Sequence, residues 1–212
     1  AIYMMNTAFG WVLLLLMTGA VCVMRVEPVL ALLGLAPDLD VMSLLPLAPA
    51  LLAGMSSTTD CSISMEGKQM EIMRALPVST GTWLKAKLLL HLTLAVPALL
   101  VCAAALTVKL SLTPVQAALL AAFPLSTALF CGVCGLALNL RFPRLSWEQD
   151  VQAVKGGVSV LLTIVIGMLV PVLTGALCFW LKAYAPVMAA GCAVQLLAAL
   201  FIGGRLKKAR MP

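Results

Sequence analysis

Residues 157–181 read GVSVLLTIVIGMLVPVLTGALCFWL, a run of 25 residues without a charged side chain. An α-helix rises about 1.5 Å per residue, so about 20 apolar residues cross the roughly 30 Å hydrocarbon layer of a bilayer. This stretch therefore predicts a membrane-spanning helix.

The same pattern recurs along the chain. It predicts six spans, at approximately residues 6–24, 41–55, 88–108, 115–140, 157–181 and 186–204. The second span is short, and the apolar piece at 28–37 before it predicts a re-entrant or interfacial helix on the outer side. Three of the spans contain a proline, at Pro97, Pro124 and Pro171. Neighbouring helices can accommodate such residues as kinks.

The composition agrees with a membrane protein. Hydrophobic residues make up 63% of the 212 residues and charged residues only 10%, and the mean hydropathy is +1.10. In a soluble domain, about a quarter of the residues are charged. The sequence thus predicts an all-α, polytopic integral membrane helix bundle, with one transmembrane domain over residues 1–212. No basic region precedes the run at 6–24, which favours a retained span over a signal peptide.

The basic residues predict the orientation. With a cytoplasmic N-terminus, residues 56–87, 141–156 and 205–212 face the cytoplasm and carry 11 of the 14 Lys and Arg residues. The outer segments keep only Arg25, Lys109 and Lys182. Such a bias is typical of cytoplasmic loops, so both termini are expected in the cytoplasm. The net charge of +6 then reflects topology and lipid headgroups, and nucleic acid is not an expected partner.

The predicted spans contain few groups capable of chemistry. His91 is the only candidate ionisable residue, and a lone histidine at that depth is more often an interfacial or helix-packing residue. Cys131 and Cys134 have a metal or redox spacing but lie in an apolar span, where small residues usually pack helices. The sequence predicts no catalytic, metal or cofactor-binding residue and no enzymatic activity. The phosphate-binding pattern G-x-x-x-x-G-K-[ST] is absent from the sequence.

The first loop, residues 56–87, predicts a short amphipathic helix. Ser64 is a candidate cap, Glu66 lies in the first turn, and Met70, Met73 and Leu76 share one face. Pro77 is expected to stop this helix. Ser79 or Thr80 can then cap a helix that continues into the third span. Such a helix either seats the bundle on the membrane or provides a docking surface for a cytoplasmic partner.

The second loop, residues 141–156, predicts a similar element. Ser146 to Gln149 has the form of a capping box and predicts a helix over residues 147–155. Gly156 and Gly157 then provide a flexible joint before the fifth span. Two ordered helices on one side of the membrane indicate a structured surface rather than simple connecting loops.

The residues of these two loops resemble those of bacterial ABC exporter permeases. In the first loop the resemblance is carried by S-I-S-M-E-G-K at 62–68, L-P-V-S at 76–79 and Lys87. In the second loop it is carried by Asn139, Phe142-Pro143, Trp147-Glu148 and Val154-Lys155. The two loops occur in the same order as in those permeases and cover about residues 60–155. Because such permeases are commonly longer, the chain is similar to their C-terminal half, and its start at Ala1 favours a fragment.

The resemblance implies a function. The chain would be a permease subunit of an ATP-driven exporter in the bacterial plasma membrane, with ATP bound by a separate ATPase subunit. It also implies a need for a second permease half or a second copy. Candidate contacts with the ATPase are Glu66, Gly67, Lys68, Arg74, Pro77, Trp147, Glu148 and Lys155. The alternative is a regulatory or assembly subunit of a membrane complex that transports nothing. A membrane enzyme is disfavoured because His, Asp and Glu do not cluster at either face.

Overall fold

The computed structural model describes residues 2–23, 41–75, 77–148 and 150–206. Within these ranges the chain is helical apart from short connections, and no strand occurs. The described α-helices are α1 Ile2–Val23, α2 Val41–Leu44, α3 Leu47–Met55, α4 Met70–Ala75, α5 Thr80–Leu110, α6 Pro114–Arg141, α7 Asp150–Lys155, α8 Val158–Leu181 and α9 Tyr184–Leu206. A 3-10 helix, Ser64–Gln69, precedes α4. The all-helical prediction is confirmed for the described residues.

Four helices are long and apolar enough to cross a membrane. They are α5, α6, α8 and α9, and they contain the last four predicted spans. The apolar stretches Ala8–Val23 and Met42–Met55, in the places of the first two predicted spans, are shorter. A total of six spans therefore stays a prediction. The helix predicted at 28–37 lies outside the described residues.

Local sequence signals explain where α5 and α6 begin. The Ser79 hydroxyl accepts a hydrogen bond from Thr82 N, so α5 starts well before the apolar part of the span. Thr113 and Gln116 form a reciprocal capping box at the start of α6, with Pro114 in the first turn. These side chains bind backbone N–H groups that have no partner within the helix.

Helix α6 is the centre of the bundle. It packs against α3, α5, α8 and α9. Phe123, Ala128 and Leu136 are almost completely buried along its length. By contrast, α8 and α9 expose large apolar side chains such as Leu161, Leu173 and Leu200. Apolar residues on the outside of a bundle match a lipid environment.

Glycines permit a close approach between α3 and α8. A Cβ atom added to Gly54 would collide with the backbone of Gly167, and the reverse is also true. Small residues at such a crossing let two helix backbones touch, which favours association in lipid. This contact positions the end of α3, directly before residues 56–64 of the first loop.

Two local predictions for the loops are wrong. The helix predicted over residues 147–155 begins only at Asp150, and the Trp147 indole N–H instead donates to Ser64 O at 2.8 Å. The Ser64 hydroxyl does not cap the short helix that starts there. It accepts hydrogen bonds from Asn139 Nδ2 at 2.8 Å and from Arg144 N at 3.0 Å.

Candidate functional site

The segment between α3 and the 3-10 helix is polar and non-helical, yet it is buried. From Ser56 to Ser64 no residue is more than 9% exposed. We call residues 56–64 the buried loop. Its run of Ser, Thr and Asp explains the lack of helix, because these side chains compete with helical backbone hydrogen bonds. Buried backbone N–H and C=O groups need hydrogen-bond partners. The helices around this loop must therefore supply partners.

Asn139, in the last turns of α6, is the main partner. Its Oδ1 atom accepts from Ile63 N at 2.7 Å and from Ser64 N at 3.1 Å. Its Nδ2 atom donates to the hydroxyls of Ser64 and Ser159, at 2.8 Å and 2.9 Å. Four hydrogen bonds use the full capacity of the amide. One fully buried side chain thus joins the buried loop to α6 and α8.

Other side chains tie the loop to the same helices. Ser159 in α8 donates from its hydroxyl to Asp60 O at 2.8 Å. Thr59 donates from its hydroxyl to Gly132 O, in α6, at 2.7 Å. These contacts satisfy polar groups that would otherwise destabilise the buried segment.

His91 connects three parts of the molecule. It is fully buried in α5. Its Nδ1 atom lies 3.4 Å from Thr58 N and its Nε2 atom 3.1 Å from Ala128 O. This pattern assigns the neutral tautomer with the proton on Nε2, because Ala128 O can only accept. The expectation that His91 is a packing residue is in accord with these contacts.

An ion pair holds the 3-10 helix against α5. Lys87 Nζ lies 2.6 Å from Glu66 Oε1, and both side chains are mostly buried. The same oxygen accepts from the Trp83 indole N–H at 3.0 Å. Lys87 also donates to Ser62 O at 2.8 Å, and its ammonium lies 5.0 Å from the centre of the Trp83 ring. The short helix is therefore fixed to α5 by the ion pair and by the Trp83 hydrogen bond, while the cation–π contact lies within α5 and orients Lys87.

Gly67, in the first loop, lies where that loop contacts Trp147 of the second loop. Its φ of +47° lies in the left-handed region that favours glycine. A Cβ atom at this position would lie 3.0 Å from the indole of Trp147. The absence of a side chain at Gly67 thus lets Trp147 pack on the 3-10 helix while it donates to Ser64 O.

Asp60 is a buried carboxylate. It is 4% exposed, and no described basic side chain forms an ion pair with it. Burial raises its pKa from 3.8 to about 7, although hydrogen bonds from the side chain and backbone of Cys61 act in the opposite direction. Burial and the neighbouring Asp60 charge likewise raise the pKa of Cys61. The expectation of an interior almost without ionisable groups does not extend to this loop.

The predicted contact residues fall into two groups. Glu66, Gly67 and Trp147 face inward and hold the two loops together. Arg74, Pro77 and Glu148 are exposed at the surface of the same end. The side chains of Lys68 and Lys155 lie outside the described part of the structure. Whether any of these residues contacts an ATPase stays a prediction.

Sequence reasoning missed the roles of Asp60, Thr59 and Ser159. A signal for them does exist in the sequence. Residues 56–64 contain no Lys or Arg, whereas the rest of the first loop carries Lys68, Arg74, Lys85 and Lys87. A polar segment without cations, directly after a span, is a candidate for burial among helices rather than for contact with headgroups.

Within the described ranges, no group of three or more His, Cys, Asp or Glu residues is arranged to hold a metal ion. Hydrogen bonds and the Lys87–Glu66 ion pair join the loops and helices at this end of the bundle. No protein-family model, curated protein or solved structure matches the chain. The resemblance to exporter permeases consequently depends on the residues of the two loops alone.

Proposed function

We propose that the chain is a transmembrane permease subunit of an ATP-driven ABC exporter and that it couples to a separate ATPase subunit through the helix pair at 64–75. The supporting observation is the way this pair is held. Its inner side is fixed to the bundle by the buried loop, by Asn139 and by the Lys87–Glu66 pair. Its outer side is open to solvent.

The outer side has the character of a docking surface. Glu71, Ile72, Arg74 and Ala75 in α4 are exposed, as are Pro77 and Val78 after it. Ile72 is 64% exposed. Meanwhile Met70 is buried and Met73 is partly buried against the bundle. An amphipathic helix with exposed apolar and charged residues fits a groove on a partner protein.

A displacement of the 3-10 helix and α4 would be transmitted to three of the long helices. The 3-10 helix is linked to α5 through Glu66 and Lys87. It is linked to α6 through Asn139, and the adjoining loop is linked to α8 through Ser159 and Asp60. A rigid attachment of this kind transmits a rigid-body displacement to a bundle with two arrangements. Closure of an ATP-bound partner below α4 would supply the displacement.

The finer parts of the proposal follow from the sequence. They comprise six spans, both termini in the cytoplasm, a bacterial plasma membrane, and a second permease half or second copy to enclose a path. The described spans are largely apolar, which suits a hydrophobic, amphipathic or peptide-like cargo. ATP would bind the partner subunit, because the chain has no phosphate-binding loop.

Affinity purification from the native host tests the proposal. We expect a subunit with a P-loop to co-purify with the tagged chain, as identified by mass spectrometry. Ile72→Asp and Arg74→Glu should each reduce its recovery, because both residues are exposed on α4. Lys182→Glu, which changes an exposed residue after α8, is the matched control and should leave recovery unchanged.

Substitution of the inward-facing Glu66 is unsuitable for this test, because it would also break the pair with Lys87. Failure to recover a P-loop subunit, or equal recovery with Ile72→Asp and the control, contradicts the proposal. Recovery of the ATPase without any nucleotide-dependent transport in vesicles would favour the regulatory or assembly subunit instead.

A further inference from the structure

An apolar groove of about 450 Å³ runs between α5, α6 and α9. Its walls include Leu84 and Leu88 from α5, Leu129 and Leu136 from α6, and Leu200 and Gly203 from α9. Among the described residues that line it, Lys85 is the only charged one. The volume lies within the range of small-molecule sites, about 300–1,000 Å³.

The groove lies at the end of the bundle that contains the buried loop. It is formed by the first turns of α5 and the last turns of α6 and α9. Under the topology that the basic residues predict, this end meets the inner leaflet. Gly81, Gly203 and Gly204 border the groove, and a Cβ atom added to any of them would meet nothing within 4 Å. The space beside these glycines is therefore open.

Something apolar must occupy this space in a membrane. A bound water needs two to four polar partners, and the walls offer almost none. Lipid tails surround the outer surface of a span, so an acyl chain can fill the groove without losing any hydrogen bond.

The basic residues at one end of the groove favour anionic lipids over neutral ones. Lys85 is exposed, and no described residue pairs with it. Arg205 directly follows the groove residue Gly204, and its guanidinium lies 4.5 Å over the Phe201 ring. Basic pockets between spans on the cytoplasmic side favour anionic headgroups. The apolar length of the groove fits the tail, and the cations at its end fit a phosphate.

A second copy of the chain is a poorer occupant. All copies in one membrane share an orientation, so a neighbouring copy would bring its own basic end to the groove. Under the topology that the sequence predicts, that end carries 11 of the 14 Lys and Arg residues. Like charges beside Lys85 would oppose such an association.

We propose that this groove binds an anionic phospholipid, with an acyl chain between α5, α6 and α9 and the headgroup phosphate at Lys85. The proposal requires a membrane but no ATPase partner, so its failure would leave the proposed transport function untouched. The positive residues that follow α9 in the sequence attract anionic lipid in general. They are present in every variant used below and cannot produce a difference between variants.

Native mass spectrometry of the full chain tests the proposal, after reconstitution in nanodiscs of phosphatidylglycerol and phosphatidylcholine and gentle release. We expect phosphatidylglycerol to be retained in preference to phosphatidylcholine. Lys85→Gln should lower phosphatidylglycerol retention about fivefold, since one lysine near a membrane surface contributes about that factor. Lys85→Arg should keep it. Lys109→Gln, an exposed lysine at the other end of α5, is the matched control.

A steric variant provides an independent measurement. Gly203→Leu should fill the groove and remove both lipids, whereas Gly19→Leu, at an equally open glycine in α1, should not. Equal phosphatidylglycerol retention by Lys85→Gln and Lys109→Gln would overturn the proposal. So would lipid retention by Gly203→Leu, or a dimer mass without lipid.

Discussion

Lys87 and Glu66 form an ion pair of 2.6 Å across the junction between α5 and the 3-10 helix. The carboxylate oxygen in this pair also accepts from Trp83, and the ammonium also donates to Ser62 O. The second carboxylate oxygen, Oε2, is buried and has no hydrogen-bond partner among the described residues. One lysine therefore compensates most of the cost of burying Glu66. Through it, α5 holds both the buried loop and the helix that follows.

Lys87→Met should destabilise the protein by about 1–3 kcal/mol, because it leaves a mostly buried carboxylate and the Ser62 carbonyl without their cation. The loss is measurable as a lower midpoint of thermal unfolding in detergent. Lys85→Met, two residues away on the exposed face, is the control and should unfold near the wild-type temperature. The double variant Glu66→Gln with Lys87→Met should regain stability over Lys87→Met, since the unpaired charge is gone. Equal midpoints for Lys87→Met and Lys85→Met would contradict this account.

Asn139→Leu should cost about 2–5 kcal/mol, because the N–H groups of Ile63 and Ser64 lose their shared acceptor inside the protein. Ser159→Ala removes a residue that hydrogen-bonds the same amide. The two substitutions should therefore be non-additive, with a coupling energy of about 0.5–3 kcal/mol. Ser126→Ala, more than three turns away in α6, should add to Asn139→Leu within about 0.5 kcal/mol. Thermal or chemical unfolding of the single and double variants measures both cycles. Additivity in the Ser159 cycle would argue against a shared network.

Hydropathy predicted the positions of the long helices, because crossing a bilayer imposes one length and one composition on every span. Helix ends could also be predicted where they depend on residues close by in the sequence. Ser79 caps α5 as predicted, and α4 ends at Ala75, shortly before Pro77. Such features depend on a few consecutive residues.

The burial of residues 56–64 could not be predicted in this way. Its composition alone is ambiguous, because polar side chains favour contact with water whereas the lack of Lys and Arg favours burial. The groups that satisfy them are far along the chain, since Ile63 and Asn139 are 76 residues apart and Asp60 and Ser159 are 99 apart. Trp147 likewise has a distant partner, because it donates to Ser64, 83 residues before it. Long-range contacts of this kind override local propensity.

Gly67→Ala should destabilise the junction between the two loops by about 1–3 kcal/mol. The positive φ is unfavourable for alanine, and the added methyl group would press on the Trp147 indole. Limited proteolysis at Arg74 should become faster, because α4 follows directly. Gly81→Ala, at a helical position with open space around it, is the control and should be neutral or slightly stabilising. Gly67→Ala with wild-type stability and protease resistance would show that this backbone conformation is not required.

Asp60 should make stability dependent on pH. Its pKa is raised from 3.8 to about 7 by burial, so between these values the folded protein binds a proton that the unfolded chain has released. The contribution of Asp60 to the free energy of unfolding is therefore fully present below pH about 4. It falls as the pH rises towards 7 and changes little above that. Asp60→Asn removes the titration and keeps a similar shape.

The unfolding midpoint of the wild type, measured relative to Asp60→Asn across this range, should decrease with increasing pH. Cys61 and Cys131, the titratable groups on which the Asp60 charge acts, are unchanged in the variant, so the difference isolates the carboxyl group. Glu148→Gln removes an exposed carboxylate at the same end of the bundle and should keep the wild-type profile. A pH-independent difference between wild type and Asp60→Asn would mean that Asp60 is charged in the folded protein throughout this range. Its burial would then require a cation beside it.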